Sequence, residues 1–180
     1  MKREVPISKA KWIMEPGCVL LVTSGESGNA NVMTISWQTP IRSGEPCHVL
    51  LVINPARYTC ELIMKSGQLV INVPGSDLLG QVHRAGTVSG REVDKFERLG
   101  LTAVPAQKVA PPLIDECAAH LECEVERNVE LGHHRLLVCR VVRAVADDAY
   151  FNGTWDPERF HTLHYLGGKR YGLLCNSTEA

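Results

Sequence analysis

The chain has 180 residues, 44% of them hydrophobic and 22% charged, and a formal net charge of -1. That length suits one domain with a sizeable apolar core, and the balanced composition excludes a disordered chain and any broad electrostatic attraction to nucleic acid. The longest apolar runs, residues 18–22 and 49–53, are far too short to cross a membrane as a helix.

The first eleven residues carry Lys2, Arg3, Lys9 and Lys11 with no apolar stretch or small-residue cleavage site behind them, which points to a cytoplasmic protein. Residues 18–24 form a continuous apolar and β-branched run, and the glycines of 25–29 supply a turn, so a β-hairpin is predicted. Its second arm, Asn31-Val-Met-Thr-Ile-Ser-Trp37, sorts Met33, Ile35 and Trp37 to one face and the smaller Val32, Thr34 and Ser36 to the other. Residues 47–53 read as a strand with no wet face. Asn54-Pro55 then reads as an N-cap and first helical position of a helix reaching Lys65 and closed by Gly67. A strand at 68–73 ends at Pro74-Gly75, and Ser76 is the predicted cap of a second helix over 77–85. A polar loop at 87–93 leads into a helical turn over 94–99, ended by Gly100. The three prolines within 104–112 mark an extended connector.

The clearest alternation, over 117–131, places Cys117, Ala119, Leu121, Cys123, Val125, Val129 and Leu131 opposite His120, Glu122, Glu124, Glu126 and Glu130. A long half-exposed strand is predicted there, returning through Gly132-His133-His134 as a more buried strand over 136–145. Half a dozen strands with short helices between them and no βαβ rhythm favour an antiparallel barrel, closed or partly closed. The whole of 1–180 reads as one domain, with about 172–180 as a tail. Seven cysteines without a Cys-x-x-Cys pair read as free thiols, mostly buried. Along a strand Cys117 and Cys123 would stand roughly 20 Å apart. His133 and His134 would point oppositely, and His161 and His164, spaced as a helical pair, have no third ligand nearby, so no metal site is predicted.

Chemistry concentrates first at Asn54-Pro-Ala-Arg-Tyr-Thr59. A helix N-terminus offers free N–H groups and a positive dipole end. Arg57 is mildly unfavourable there unless an anion lies beside it, and Thr59 adds a hydroxyl. The competing reading is an Arg57–Glu61 ion pair worth a few tenths of a kcal/mol. The small-residue row of Thr34 and Ser36 leaves room for a flat ligand, with Trp37 at its border; an ordinary sheet face is the competing reading there.

These stretches occur in the order Asn31 to Trp37, Asn54 to Thr59 and Ser89-Gly-Arg-Glu-Val-Asp-Lys-Phe96. Gly67-Gln-Leu-Val-Ile-Asn-Val73, Gly132-His-His134 and His164-Tyr-Leu-Gly-Gly-Lys-Arg-Tyr171 accompany them. Together they resemble the flavin reductase-like family, in its flavoredoxin-like branch because of Trp37. The resemblance implies a mainly β, FMN-binding split barrel with short inserted helices, forming a homodimer. Asn31, Met33, Thr34, Ile35, Ser36 and Trp37 would hold the flavin ring, largely through the main chain. Asn54, Arg57, Tyr58 and Thr59 would hold the phosphate, Ser89, Arg91 and Lys95 would lie on a loop over the cofactor or at the dimer interface, and His134 would stand on the nicotinamide side. The implied activity is an NAD(P)H-dependent oxidoreductase acting on CH-NH donors, with FMN rather than FAD as cofactor. Hydride would pass from NAD(P)H to N5 of FMN, and electrons then to a second acceptor such as free flavin, an iron centre or a protein. The alternatives are an FMN carrier reduced by a partner protein, or a binding protein without flavin.

Overall fold

A computed structural model describes residues 17–26 and 28–178; the charged segment 1–11 lies outside them. The strands are β1 (Gly17–Cys18), β2 (Leu20–Ser24), β3 (Asn31–Ile35), β4 (Gln38–Arg42), β5 (His48–Ile53), β6 (Gln68–Val73), β7 (Ala103–Val104), β8 (Leu113–Ile114), β9 (Ala119–Leu131), β10 (His134–Ala146), β11 (Leu163–Gly167) and β12 (Arg170–Leu173). The helices are α1 (Tyr58–Ser66), α2 (Leu79–Ala85) and α3 (Lys95–Leu99), with a 3-10 turn at Ser76–Leu78 leading into α2. Seven strands make one antiparallel sheet in the order β3-β2-β6-β9-β10-β5-β4.

That order dictates the shape. Strands β3 and β4 are the two outer edges of the sheet, yet only Ser36 and Trp37 separate them. A flat seven-stranded sheet is about 29 Å from edge to edge, while the chain from Ile35 to Gln38 reaches about 10 Å at most. The sheet therefore curls until its edges nearly meet, giving a half-barrel split at Ser36-Trp37. At the split the Val52 N–H donates to the Trp37 carbonyl at 2.9 Å.

Curling gives the sheet an inside and an outside, and β2 is buried on both. Leu20 and Val22 join Ile35, Leu51, Ile63 and Leu137 in the barrel core. Val19, Leu21 and Val32 face outward into a second cluster with Val82, Ala85, Phe96 and Leu163. This is why 18–22 carries no polar alternation. The small-residue face of β3 thus looks toward α2 and α3.

Several elements depart from the sequence reading. Asn54 is not a helix cap: its Oδ1 accepts from the Ala56 N–H at 2.9 Å in a local turn. Arg57 is still extended at ψ 137, and α1 begins at Tyr58. Ser76 lies inside the 3-10 turn, whose N-cap is Gly75. Cys117 precedes β9 in a turn and sits in the outer cluster, whereas Cys123 belongs to the barrel core. His164 is on β11, so it forms no helical pair with His161. Strand β12 reaches Leu173 and shortens the expected tail. Cys175 is exposed rather than buried. Finally, Glu122 falls in the row expected to be wet but is completely buried, because the connector 104–112 folds over that half of β9.

Candidate functional site

The open edge of β3, the start of α1, the end of α2 with loop 86–94, and the start of α3 enclose a cleft of about 220 Å³. It brings together Asn31, Met33, Thr34, Arg57, Tyr58, Thr59, Ser89, Arg91 and Lys95, drawn from three separate motifs of the sequence. A neighbouring cleft of similar size shares Thr34, Gly86 and Thr87 with it and adds Ser36. Neither alone reaches the roughly 300 Å³ at which small-molecule sites begin, so a nucleotide-sized ligand would need both.

Asn31 and Thr59 form the floor of the first cleft, 2% and 1% exposed. The Asn31 Nδ2 donates to Thr59 Oγ1 at 2.7 Å, joining the start of β3 to the first turn of α1. The other amide atom, Oδ1, is buried with no donor. An orphaned buried acceptor costs about 1–3 kcal/mol, which a ligand hydroxyl would recover.

Two cations stand above that floor. The Lys95 side chain enters from α3 and is 4% exposed; its Nζ donates to the Val32 carbonyl at 2.9 Å and the Ala85 carbonyl at 2.7 Å. Burial, and then the Arg57 guanidinium nearby, push the Lys95 ammonium down to about 8. Arg57 is exposed and does not pair with Glu61, which is held instead by Lys65 at 2.7 Å and Arg91 at 3.0 Å. Among the described residues, neither Arg57 nor Lys95 has a carboxylate partner. Two cations without a carboxylate partner beside the uncapped start of α1 are groups that could hold an anion.

Four expected site residues sit elsewhere. Ile35 is 5% exposed and points into the barrel core. Asn54 is consumed by its turn outside the cleft. Trp37 lies at the barrel split with its ring 5.3 Å from that of His134, so these two form a separate aromatic pair beyond the clefts. Arg91 lines the cleft, but its guanidinium is engaged with Glu61 and the Ala56 carbonyl.

Sequence reasoning missed Ala85, Gly86, Thr87, Val88 and Gly90 in the first cleft, and His83, Tyr165 and Tyr171 in the second. Gly90 carried a readable signal, a glycine inside a polar loop. A Cβ there would fall 2.1 Å from Asn31 Oδ1, so only glycine lets the loop pass this close. At Gly86, by contrast, a Cβ would meet Thr34 at an ordinary van der Waals distance of 3.4 Å. His83 had no such signal, being masked by the apolar spacing of its helix. In the second cleft Tyr165 and Tyr171 stand 5.7 Å apart between ring centres, and His83 Nδ1 is 3.3 Å from the Tyr171 hydroxyl. A larger hollow of about 550 Å³ behind Gly90 and Arg91 lacks an uncompensated cation: Arg91 is paired and Asp94 caps α3.

The residues present fit an FMN-type ligand. Two cations without carboxylate partners suit a phosphate, the orphaned Asn31 Oδ1 suits a chain hydroxyl, and the tyrosine-lined second cleft beside Thr34 and Ser36 suits a flat ring. Among the described residues, no group of three or more His, Cys, Asp or Glu side chains is arranged to hold a metal, and no helix is long and apolar enough to cross a membrane.

An uncharacterized protein of Archaeoglobus fulgidus is 39% identical over 159 residues, 88% of each chain. The reductase component of a 4-nitrophenol 4-monooxygenase/4-nitrocatechol 2-monooxygenase from Rhodococcus opacus is 31% identical over 167 residues, 89% of this chain and 83% of that one. Among solved structures, the FMN-binding domain of a flavin reductases-like enzyme from Shewanella baltica is 26% identical, with a TM-score of 0.81 and coverage of 98% and 95%. A model of the flavin reductase like domain matches residues 14–170, so the chain belongs to the flavin reductase-like family.

Proposed function

We propose that the chain is an FMN-dependent oxidoreductase that takes hydride from NAD(P)H and passes the electrons to a second acceptor, acting as a homodimer in the cytoplasm. The observation that carries this reading is the pairing of two uncompensated cations, Arg57 and Lys95, with the orphaned acceptor of Asn31 in one cleft. A free anion would satisfy only the first, and a sugar only the second. The ribityl phosphate of FMN carries both chemistries.

Arg57 and Lys95 would hold the phosphate, with the hydroxyl of Thr59 and the first turn of α1 beneath it. Asn31 Oδ1 would accept from a ribityl hydroxyl while its amide stays pinned to Thr59. Thr34 and Ser36 would lie against the ring, their small side chains admitting it close to the β3 backbone, with Tyr165 and Tyr171 as the facing wall. Bound FMN supplies the electron chemistry, accepting hydride from the nicotinamide and releasing electrons onward. The chain's share is orientation and exclusion of water. The Trp37–His134 pair, whose tryptophan directly follows Ser36, would border the side on which the nicotinamide approaches.

The test of the cofactor is a titration with FMN and with riboflavin, which lacks the phosphate. FMN is expected to bind at one per chain and at least tenfold more tightly than riboflavin. Equal affinities would remove the phosphate site, and no saturable binding of either would remove the flavin.

A further inference from the structure

Family resemblance places Arg91 on a loop over the cofactor or at the dimer interface, and its contacts show what that loop is fastened to. Its Nη2 meets Glu61 Oε2 at 3.0 Å, its Nη1 donates to the Ala56 carbonyl at 3.2 Å, and its guanidinium carbon lies 5.1 Å from the centre of the Tyr58 ring. All three partners belong to α1 or the turn before it, one wall of the cleft, while Arg91 belongs to loop 86–94, the opposite wall. The Tyr58 hydroxyl donates in turn to Asn29 Oδ1 at 3.0 Å, adding the β2–β3 turn to the same chain of contacts. Loop 86–94 is otherwise anchored at its two ends, where the Thr87 and Val88 N–H groups and the Thr87 hydroxyl donate to the Arg84 carbonyl of α2 and Asp94 caps α3; the bonds of its middle are local. Ser89 Oγ accepts from the Arg91 N–H, and the Ser89 carbonyl accepts from Glu92 and Val93, all within the loop itself.

We propose that Arg91 is a positioning residue, a clasp that fastens loop 86–94 to the start of α1 and so sets the width of the cofactor cleft. Gly90 shows why the setting matters. Its backbone lies so close to Asn31 that a Cβ would strike both the amide and the Tyr58 ring. A small outward movement of the loop would therefore part the cleft wall from Asn31, the residue that offers the orphaned acceptor. The inference rests on FMN as the cleft's ligand for its binding arm only.

The experiment measures FMN release by stopped flow, and amide hydrogen exchange of residues 86–94 in the FMN-free protein. The variants are Arg91→Ala, Arg91→Lys, Glu61→Gln and Lys65→Met. Arg91→Ala is expected to speed both release and loop exchange by about three- to tenfold, the range of an exposed ion pair reinforced by a cation–π contact. Glu61→Gln is expected to move both the same way by less, and Arg91→Lys, which keeps the charge and loses the planar fork, to fall between. Lys65→Met removes the other partner of Glu61 without touching the loop and is expected to leave both unchanged. If Arg91 instead touched the phosphate, Glu61→Gln would remove a competing negative charge and slow release; that result overturns the clasp, as does unchanged loop exchange in Arg91→Ala. Should the wild-type protein bind no FMN, the exchange arm still decides the clasp, and only the cofactor reading has failed.

Discussion

Arg57 and Lys95 are both cations of one cleft, but their physical states differ. Arg57 is exposed and permanently charged, so replacing it removes a contact and little else. Arg57→Ala is expected to weaken FMN binding by about 1.5–3 kcal/mol, the worth of a charge-assisted hydrogen bond, and to leave riboflavin affinity unchanged in the same titration. Lys95 is buried against two carbonyls, and its ammonium is pushed down to about 8. A phosphate dianion would favour the charged form and raise that value in the complex. Affinity is therefore highest below pH 8 and falls as pH rises through the free-protein value, by about tenfold per unit. The phosphate itself is dianionic above about pH 6 and contributes nothing to this slope. FMN titrations from pH 7 to 10 test it, with Lys95→Met expected to bind weakly and with a flat pH response. Arg57 was legible in the sequence because a lone arginine before a helix asks for an anion. Lys95 entered only through family resemblance, since the sequence places it in a short, charged helical turn and only the tertiary fold turns it inward.

Strand β9 illustrates what a periodic pattern can and cannot say. Its alternation fixed the strand and its hairpin partner β10, and both appear where expected. The alternation also put Glu122 in a row facing water, and there the cover of the 104–112 connector wins. The Glu122 carboxylate accepts from the N–H groups of Gln107 and Lys108 and pairs with Arg143 at 2.7 Å. Burial alone would raise its pKa, but the bonds from Lys108, Arg143 and Gln107 outweigh that and hold it below the usual carboxylate range. Its stabilisation is thus present above the unfolded value of about 4.3 and is lost as pH falls through the lower folded one. Glu122→Gln is expected to cost about 1–3 kcal/mol in urea unfolding at pH 7, with a smaller difference from wild type below pH 4. A local pattern carries no information about a connector arriving from elsewhere in the chain. The same limit explains Asn54, whose capping chemistry is real but closes a turn three residues too early for the helix.

The half-barrel as a whole follows from one topological fact, that the two edge strands are neighbours in sequence. Six of the seven sheet strands were legible from periodicity, the edge strand β4 was not, and the split entered only through family resemblance, because no residue pattern announces which strands will be edges. Beyond Glu124, β9 has β10 on one side and no pairing with β6 on the other. Val129 and Leu131 on that stretch are 50% and 64% exposed. Open edges with apolar side chains invite a partner, which supports the proposed homodimer. Light scattering during gel filtration is expected to give twice the 19.8 kDa chain mass at micromolar concentration, and a monomer there would contradict it. The functional reading is tested most directly by mixing the FMN-loaded protein with NADH or NADPH without oxygen, while following the visible flavin band. Bleaching by at least one nucleotide is the expected result. An FMN band unchanged by both would contradict the reductase, leaving a flavin carrier that depends on another protein for its electrons.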